Sequence, residues 1–151
     1  LAPGNHEYIS SINECSKYLS QTNVVMLRDS ATTIGKGLTL IGRDDFSNKS
    51  RIPLKELLLR HPTESGTIVL DHQPQELHIG DSLGVDLIIC GHTHNGQVWP
   101  LNKIVNKIYP QSHGYRKWSH SHIWVSSGLS LWGPPFSIGN RSDIALINIK
   151  Y

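Results

Sequence analysis

Two histidines stand together where an apolar segment ends. His92 and His94 flank one threonine in "CGHTHNG" (90–96), directly after the apolar residues 85–90. A continuous apolar segment is typical of a strand buried on both faces, and the flanking glycines predict a sharp loop at its carboxyl end. Neutral imidazole is a good ligand for Zn, Fe, Mn or Ni. The pair is therefore predicted to reach one metal ion, or two neighbouring ions.

Two further polar clusters occupy similar positions in the chain. His72 ends the apolar segment "IVLDH", and Asn5, His6 and Glu7 follow Gly4 just before a predicted helix. Open α/β sheets place their sites beyond the carboxyl ends of the strands, so His72 and His92 are expected at one edge. The amide oxygen of Asn5 can supply a neutral metal ligand. Taken alone, Asn5 is equally well explained as a helix N-cap, and Glu7 as orienting His6, holding the helix end or facing solvent.

The remaining histidines have simpler interpretations. A lone histidine is usually a surface or hydrogen-bonded residue, and this role is assigned to His61, His78, His113, His120 and His122. A structural zinc site built from His92, His94, His120 and His122 is the weaker alternative, because structural zinc usually recruits cysteine as well. The two cysteines, Cys15 and Cys90, are predicted to be small buried residues.

The elements around these clusters mix strands and helices, which predicts an α/β or α+β fold with a mostly buried sheet. Strands are predicted at 24–27, 31–43 (a hairpin), 66–72, 85–90, 122–128 and 143–150. Helices are predicted at 8–20, 53–61 and within 73–84, and loops at 44–52, 98–122 and 129–141.

Composition excludes several classes of protein. The chain has 151 residues, 38% of them hydrophobic, and a formal net charge of +2, so we expect one soluble folded unit over 1–151. Its basic residues are scattered, which argues against a dedicated nucleic-acid partner. No apolar segment is long enough to cross a membrane. The chain lacks an initiating methionine and is interpreted as a piece of a longer protein.

The motifs together resemble those of a known family. "GNHE", a lone histidine after an apolar strand, and "GHTHNGQ" are similar to the last three of five motifs of the calcineurin-like metallophosphoesterases. The tail "VSSGLSLWGPPFSIGNRSDIALINI" is similar to that of the bacterial YkuE-like subgroup. The resemblance implies a four-layer α/β/β/α sandwich, of which this chain is a C-terminal part without the N-terminal strands.

The same resemblance implies roles for five residues. The family uses two adjacent divalent metal ions, with Mn, Fe or Zn compatible with these ligands. Asn5, His72 and His92 would hold one ion, and His94 would contribute to the other. His6 would be catalytic, donating a proton or hydrogen bond to an oxygen of the scissile phosphate.

One departure from the family is large. Its first two motifs, Asp-x-His and Gly-Asp-x-x-Asp, precede "GNHE" and do not occur here, and Asp81 lies too late in the chain to replace them. The parent protein is therefore expected to hydrolyse a phosphoester or pyrophosphate. This fragment alone is expected to bind at most one metal ion and to show little or no hydrolysis. A sheet edge left exposed by the missing strands is expected to favour self-association.

The substrate is predicted only by class. Aromatic residues in the loops 98–122 and 129–141 fit either a lid over a phosphorylated small molecule or lipid-linked ester, or simple packing. Arg141 is expected either to bind phosphate or to pair with Asp143. A cytoplasmic location is expected, with membrane association through a segment absent from this chain as the alternative. The competing function is a non-catalytic metal- or ligand-binding module on the same fold.

Overall fold

A six-stranded mixed sheet forms the centre of the computed structural model, which describes residues 1–150. Its strands are β1 (Ser30–Ile34), β2 (Leu38–Gly42), β3 (Thr67–Leu70), β4 (Leu87–Cys90), β5 (Gly114–Lys117) and β6 (His122–Val125). They lie in the order β1-β2-β3-β4-β6-β5, with the inner four parallel and the two edge strands antiparallel to their neighbours. The predicted α/β class is confirmed.

Helices cover one face of this sheet. α3 (Leu54–Arg60) and α4 (Leu77–Ser82) occupy the connections between parallel strands, within the two segments where helices were predicted. Ile41, Val69 and Ile123 pack beneath them, and none of the three is more than 1% exposed. Full burial of such side chains contributes about 1.5–3 kcal/mol each, so this face forms the hydrophobic core.

The opposite face of the sheet is apolar and partly exposed: Ile68 is buried at 5% exposure, whereas Leu40 and Leu87 are half-buried. Leu40, Ile68 and Leu87 lie side by side on it in the strand register. The predicted strand 143–150 was wrong: the segment forms no strand, and Leu146 is 88% exposed. Its alternating pattern is typical of a half-buried strand. A strand, however, needs a neighbour for its backbone groups, and within residues 1–150 only the first residue of this segment, Asp143, donates a backbone hydrogen bond to another segment, at Gly128.

Two predictions near the N-terminus need correction. The helix predicted over 8–20 is divided into α1 (Asn5–Ile9) and α2 (Ile12–Leu19), because Ser11 takes a left-handed conformation with φ 88°. The predicted buried strand 24–27 was also wrong. Val25 is 67% exposed, and this segment exchanges backbone hydrogen bonds only with Leu1.

The segment 98–122 is more regular than predicted. It contains α5 (Leu101–Ile108) and the edge strand β5. Asparagine and lysine occupy the polar side of α5. The helix has only eight residues, which is too short for its apolar spacing to predict a helix clearly. Within residues 1–150, no helix is both long and apolar enough to cross a bilayer.

The loop 44–52 begins with buried charges. Asp44 and Asp45 are 2% and 0% exposed, although a polar loop is normally solvated. Arg43 donates to Asp71 at 2.9 Å, and Arg51 donates to the same carboxylate at 2.6 Å. This network fixes the carboxyl ends of β2 and β3 against each other, and that edge of the sheet carries the candidate site.

Candidate metal centre

Three side chains from distant parts of the chain meet at the carboxyl edge of the sheet. His72 Nε2 lies 3.0 Å from Asn5 Oδ1. His92 Nδ1 lies 3.3 Å from the same oxygen and 3.2 Å from His72 Nε2. The structure thus brings three of the predicted ligand residues into one cluster, with their donor atoms facing each other.

Strand pairing explains the position of the two histidines. β3 and β4 are adjacent and parallel, with Leu70 opposite Ile89, so the residues that follow them leave the sheet at the same end. The Gly91 amide donates to the His72 carbonyl at 3.0 Å and joins the two loops. The sheet therefore determines the spacing of the imidazoles.

Asn5 is positioned by the short helix α1. Gly4, not Asn5, is the N-cap residue, and the Glu7 carboxylate accepts a hydrogen bond from the Gly4 amide at 2.7 Å. Glu7 therefore holds the helix end, which was one of its three predicted roles. The Tyr8 hydroxyl donates to Asp44 at 2.7 Å and ties the helix to the end of β2.

Gly4 also makes room for His72. A Cβ atom on Gly4 would lie 2.7 Å from three atoms of the His72 ring. Any larger residue would displace the imidazole from Asn5, so the glycine of "GNHE" has a steric role at the site.

Burial keeps the clustered imidazoles unprotonated. It lowers the pKa of His72, and the nearby Asp45 carboxylate offsets only part of this effect. Burial, and then repulsion from a protonated His72, lower the pKa of His92. Both rings are therefore neutral at neutral pH, which is the form that binds a metal ion.

The spacing of the three donor atoms fits a metal ion. Zinc–nitrogen bonds of about 2.0–2.1 Å at tetrahedral angles separate donor atoms by about 3.3 Å. The three contacts of 3.0–3.3 Å cannot all be good hydrogen bonds, because the Asn5 oxygen only accepts and each ring nitrogen carries at most one proton. Within residues 1–150, no group of three or more His, Cys, Asp and Glu side chains is arranged to hold a metal. The third donor here is an asparagine.

His6 and His94 line the cleft beside this cluster. The cleft has a volume of about 770 Å³, and both residues border it together with Asn5, His72 and His92. His6 is exposed, whereas His94 is half-buried against Gly128. Burial, and then the nearby His6, lower the pKa of His94. The two remaining predicted site residues therefore share one opening.

The histidine loop is held in an unusual backbone conformation. His92, His94, Asn95 and Gln97 have φ values of 69°, 47°, 47° and 50°. Left-handed residues other than glycine cost roughly 1–3 kcal/mol each and persist only where the surroundings enforce them. Asn95 tolerates this conformation, as expected from its residue type.

Gln97 has a role that the sequence did not reveal. It is 3% exposed, and its amide nitrogen donates to the carbonyls of Trp132, Pro134 and Phe136 at 2.8–3.2 Å. Its carbonyl oxygen accepts from the Trp132 amide at 2.8 Å. One side chain therefore shapes the loop 129–141. The only signal in the sequence was its place at the end of "GHTHNGQ".

The structural zinc alternative is wrong. His122 lies opposite Leu87 in the parallel pairing of β4 and β6. The end of β4, where His92 follows, is roughly 10 Å further along the sheet at about 3.3 Å per residue. His122 instead contacts the Tyr115 hydroxyl at 2.8 Å, and His120 is exposed.

The predicted pairing of Arg141 with Asp143 is not what the structure shows. The Asp143 carboxylate accepts hydrogen bonds from Ser126 and Ser127 and lies 3.6 Å from His113. Arg141 is exposed beside a small recess that His94 also lines. Its side chain is therefore near the cleft, on the side of His94.

A family model and several known proteins similar to this chain all belong to the same family. Residues 1–96 match the calcineurin-like phosphoesterase family model. An uncharacterized metallophosphoesterase of Helicobacter pylori is 35% identical over 97% of this chain, and the match covers 41% of that protein. A bovine transmembrane protein with a metallophosphoesterase domain is 30% identical over 97% of this chain, covering 37% of its length.

A third relative matches only part of the chain. The UDP-2,3-diacylglucosamine pyrophosphatase LpxG of Chlamydia trachomatis is 30% identical over 60% of this chain, covering 29% of its own length. No solved structure matches significantly. The chain spans about two fifths of the length of the Helicobacter pylori relative and of similar curated relatives. On the family model and the relatives together, the chain belongs to the calcineurin-like phosphoesterase family.

Proposed function

We propose that the protein containing this chain is a divalent-metal-dependent phosphohydrolase that cleaves a phosphoester or a pyrophosphate. Asn5, His72 and His92 hold one ion, and His94 contributes to a second. The observation that carries the proposal is the convergence of three neutral donor atoms within 3.0–3.3 Å of one another. Mn, Fe and Zn all suit this mixture of nitrogen and amide oxygen.

Different residues of this chain have different roles in the proposed reaction. The bound ions supply electrostatic stabilisation of the negative charge that phosphoryl transfer places on oxygen. His6 borders the same cleft, is exposed to it, and donates a proton to the departing oxygen. Glu7 and Asp44 act through α1 by keeping Asn5 and His6 in place, and Gly4 leaves room for the His72 ring.

The lining of the cleft favours an amphipathic substrate. Four apolar residues border it together with the histidines: Val105, Ile108, Leu131 and Trp132. We propose that a lipid-linked phosphate lies with its phosphate at the imidazoles and its apolar part against these side chains. The partial similarity to a pyrophosphatase named for a diacylated substrate supports this class. The tail 125–149 supports placing the chain in the YkuE-like subgroup.

We also propose that the 151-residue chain alone binds one ion and hydrolyses little. It provides one cluster of three donors, and His94 stands apart from that cluster as the only predicted ligand of the second ion. The chain and the complete protein are compared directly by measuring metal content and hydrolysis of a generic aryl phosphate, before and after chelation.

We expect the complete protein to bind metal and to hydrolyse the ester only when metal is present. His6→Ala is expected to lower kcat while leaving metal content unchanged. His61→Ala, at the end of α3 and outside the cleft, is the control. Metal binding by the complete protein without hydrolysis of any phosphoester would favour the binding-module function instead. Full activity of the chain alone would contradict the proposed division between chain and parent.

A further inference from the structure

The helix α5 leaves its apolar side uncovered. None of its eight residues is buried, and Leu101, Ile104 and Ile108 are 44%, 54% and 64% exposed. These residues follow helical spacing, so they form one continuous apolar stripe. A surface helix of a globular protein normally packs such a stripe against the core. Here the stripe lies at the mouth of the cleft, which Ile108 borders.

The loop across the cleft adds to the same apolar rim. Leu131, Trp132 and Phe136 are 43–50% exposed. Gln97 holds this loop by four hydrogen bonds, and the Trp99 amide donates to the Ile138 carbonyl at 2.7 Å. The loop and the segment before α5 are therefore fixed side by side. We call α5, Trp99 and the loop residues 131–136 the cleft rim.

Charge around the cleft rim is mostly positive, and Glu7 is the one acidic residue among those that border the cleft. Residues 87–142 contain five basic side chains and no aspartate or glutamate, although the whole chain has a net charge of only +2. Two of the five, Lys103 and Lys107, lie on α5, and Lys103 Nζ is 5.9 Å from the centre of the Trp99 ring. An amphipathic helix with lysines on its polar side and tryptophan beside it is typical of a helix that lies in the surface of an anionic bilayer.

We propose that the cleft rim docks directly on an anionic lipid bilayer. The apolar stripe of α5 enters the interface, and Lys103 and Lys107 contact lipid phosphates. The cleft then opens towards the membrane, where a lipid-linked phosphate enters from the bilayer. The direction of entry rests on the proposed function, whereas the docking itself does not. A bilayer fits better than a protein partner because the exposed side chains surround an opening and the charged residues of α5, Lys103 and Lys107, are both basic.

Docking is tested with a fluorescent probe at one position of the complete protein. A polarity-sensitive fluorophore is attached at Ile104→Cys, in a Cys15→Ser background with other reactive thiols removed; Cys90 is buried. Leu59→Cys carries the same probe as the matched control, because Leu59 is 73% exposed on α3, away from the cleft. A probe reports local contact even if another segment anchors the protein.

Phosphatidylcholine vesicles with and without phosphatidylglycerol are then added. We expect blue-shifted, brighter emission from position 104 with the anionic vesicles only, quenching by spin-labelled lipid, and no change at position 59. Equal responses at the two positions would overturn the proposal. So would an emission at position 104 that is blue-shifted before vesicles are added, because another protein segment or a second copy would then cover the helix.

Reversing the charge of the α5 lysines distinguishes docking through the cleft rim from nonspecific adsorption to vesicles. Each lysine near an anionic surface contributes about 1 kcal/mol, so Lys103→Glu with Lys107→Glu should weaken the vesicle response at least about tenfold. Lys55→Glu on α3 should leave it unchanged. Hydrolysis of a soluble aryl phosphate should be the same in all these variants. If the wild-type protein does not hydrolyse the aryl phosphate, the proposed function is refuted, but the docking result is unaffected.

Discussion

His72 Nε2 lies 3.0 Å from Asn5 Oδ1, although 67 positions separate the two residues in the chain. Asn5 begins a short helix and His72 follows an inner strand of the sheet. Their contact therefore depends on the packing of α1 against the sheet, and metal binding reports on that packing as well as on the ligands.

Removal of either residue should weaken metal binding. For Asn5→Ala and for His72→Ala we expect at least about a tenfold loss of Mn²⁺ affinity, because even residues that only orient ligands typically cost 10–100-fold. Isothermal titration calorimetry measures the affinity, and His61→Ala is the control. Unchanged affinity in a folded Asn5→Ala variant would exclude Asn5 as a ligand.

The two glycines at the cluster should differ in their tolerance of a methyl group. Gly4→Ala places a Cβ 2.7 Å from the His72 ring, whereas a Cβ on Gly91 meets nothing within 4 Å. Gly4→Ala should therefore weaken Mn²⁺ binding several-fold, while Gly91→Ala should retain it. Calorimetry on both variants, with thermal melts to verify folding, makes the comparison. Equal affinities would show that the His72 ring adapts.

Loss of the Gln97 amide should loosen the loop across the cleft. Gln97→Leu leaves three carbonyls and one amide of the loop without their partner, at a cost of about 1–3 kcal/mol for each group that stays buried. Hydrogen exchange should accelerate in 132–138 and remain slow in β3 and β4. Gln75→Leu, at an exposed position, is the control. Slow exchange throughout would mean that the loop is held by other contacts.

Asp44 should make the protein sensitive to acid. Burial alone would raise the pKa of this carboxyl, but hydrogen bonds from Tyr8, Asn48 and Arg28 together lower it below its ordinary value of 3.8. The stabilisation is therefore fully present above pH 3.8 and is lost as the pH falls through the folded-state pKa.

Urea unfolding across the acid range checks this. The difference in free energy of unfolding between the wild type and Asp44→Asn should be constant above pH 4.5, within about 0.3 kcal/mol, and should shrink below about pH 4. Tyr8→Phe removes one of the three side-chain donors and should reduce the effect partially. A difference that does not depend on pH would show that the pKa of Asp44 is unchanged by folding.

Self-association should use one particular edge of the sheet. β1 and β5 are the edge strands, but β5 carries Arg116 and Lys117, and such charges discourage pairing. β1 carries the exposed neutral residues Thr32 and Thr33. We expect the isolated chain to dimerise through β1, with Thr33→Lys restoring the monomer. Light scattering after gel filtration gives the mass, and a monomeric wild type would contradict the prediction.

Sequence patterns predicted the elements that carry the histidines because those elements depend on local signals. The apolar segments before His72 and His92 are long enough to specify inner strands, and the glycines of 91–96 specify the loop. The same reasoning failed for 24–27 and 143–150. A β-branched or alternating pattern shows that a segment can form a strand, but a strand also needs a partner, which local pattern does not reveal.

The supporting residues of the site could not be predicted for a related reason. Asp44 and Asp45 lie in a stretch whose composition is typical of a solvated loop, and their burial depends on Tyr8, Arg28 and Gln73 elsewhere in the chain. Gln97 likewise acts on residues more than thirty positions later. Side-chain hydrogen bonds over such separations leave no periodic signal.

The hydrogen bonds of Gln97 join the histidine loop rigidly to the loop 129–141. A graft of residues 131–136 from a relative will adopt its native shape only if it meets a glutamine at position 97, because that side chain binds the grafted backbone and not its side chains. The side chains of the loop are thereby free to vary. On the proposed function, substrate range can therefore diverge at this rim by substitution of loop side chains, while the backbone conformation that presents the imidazoles is kept.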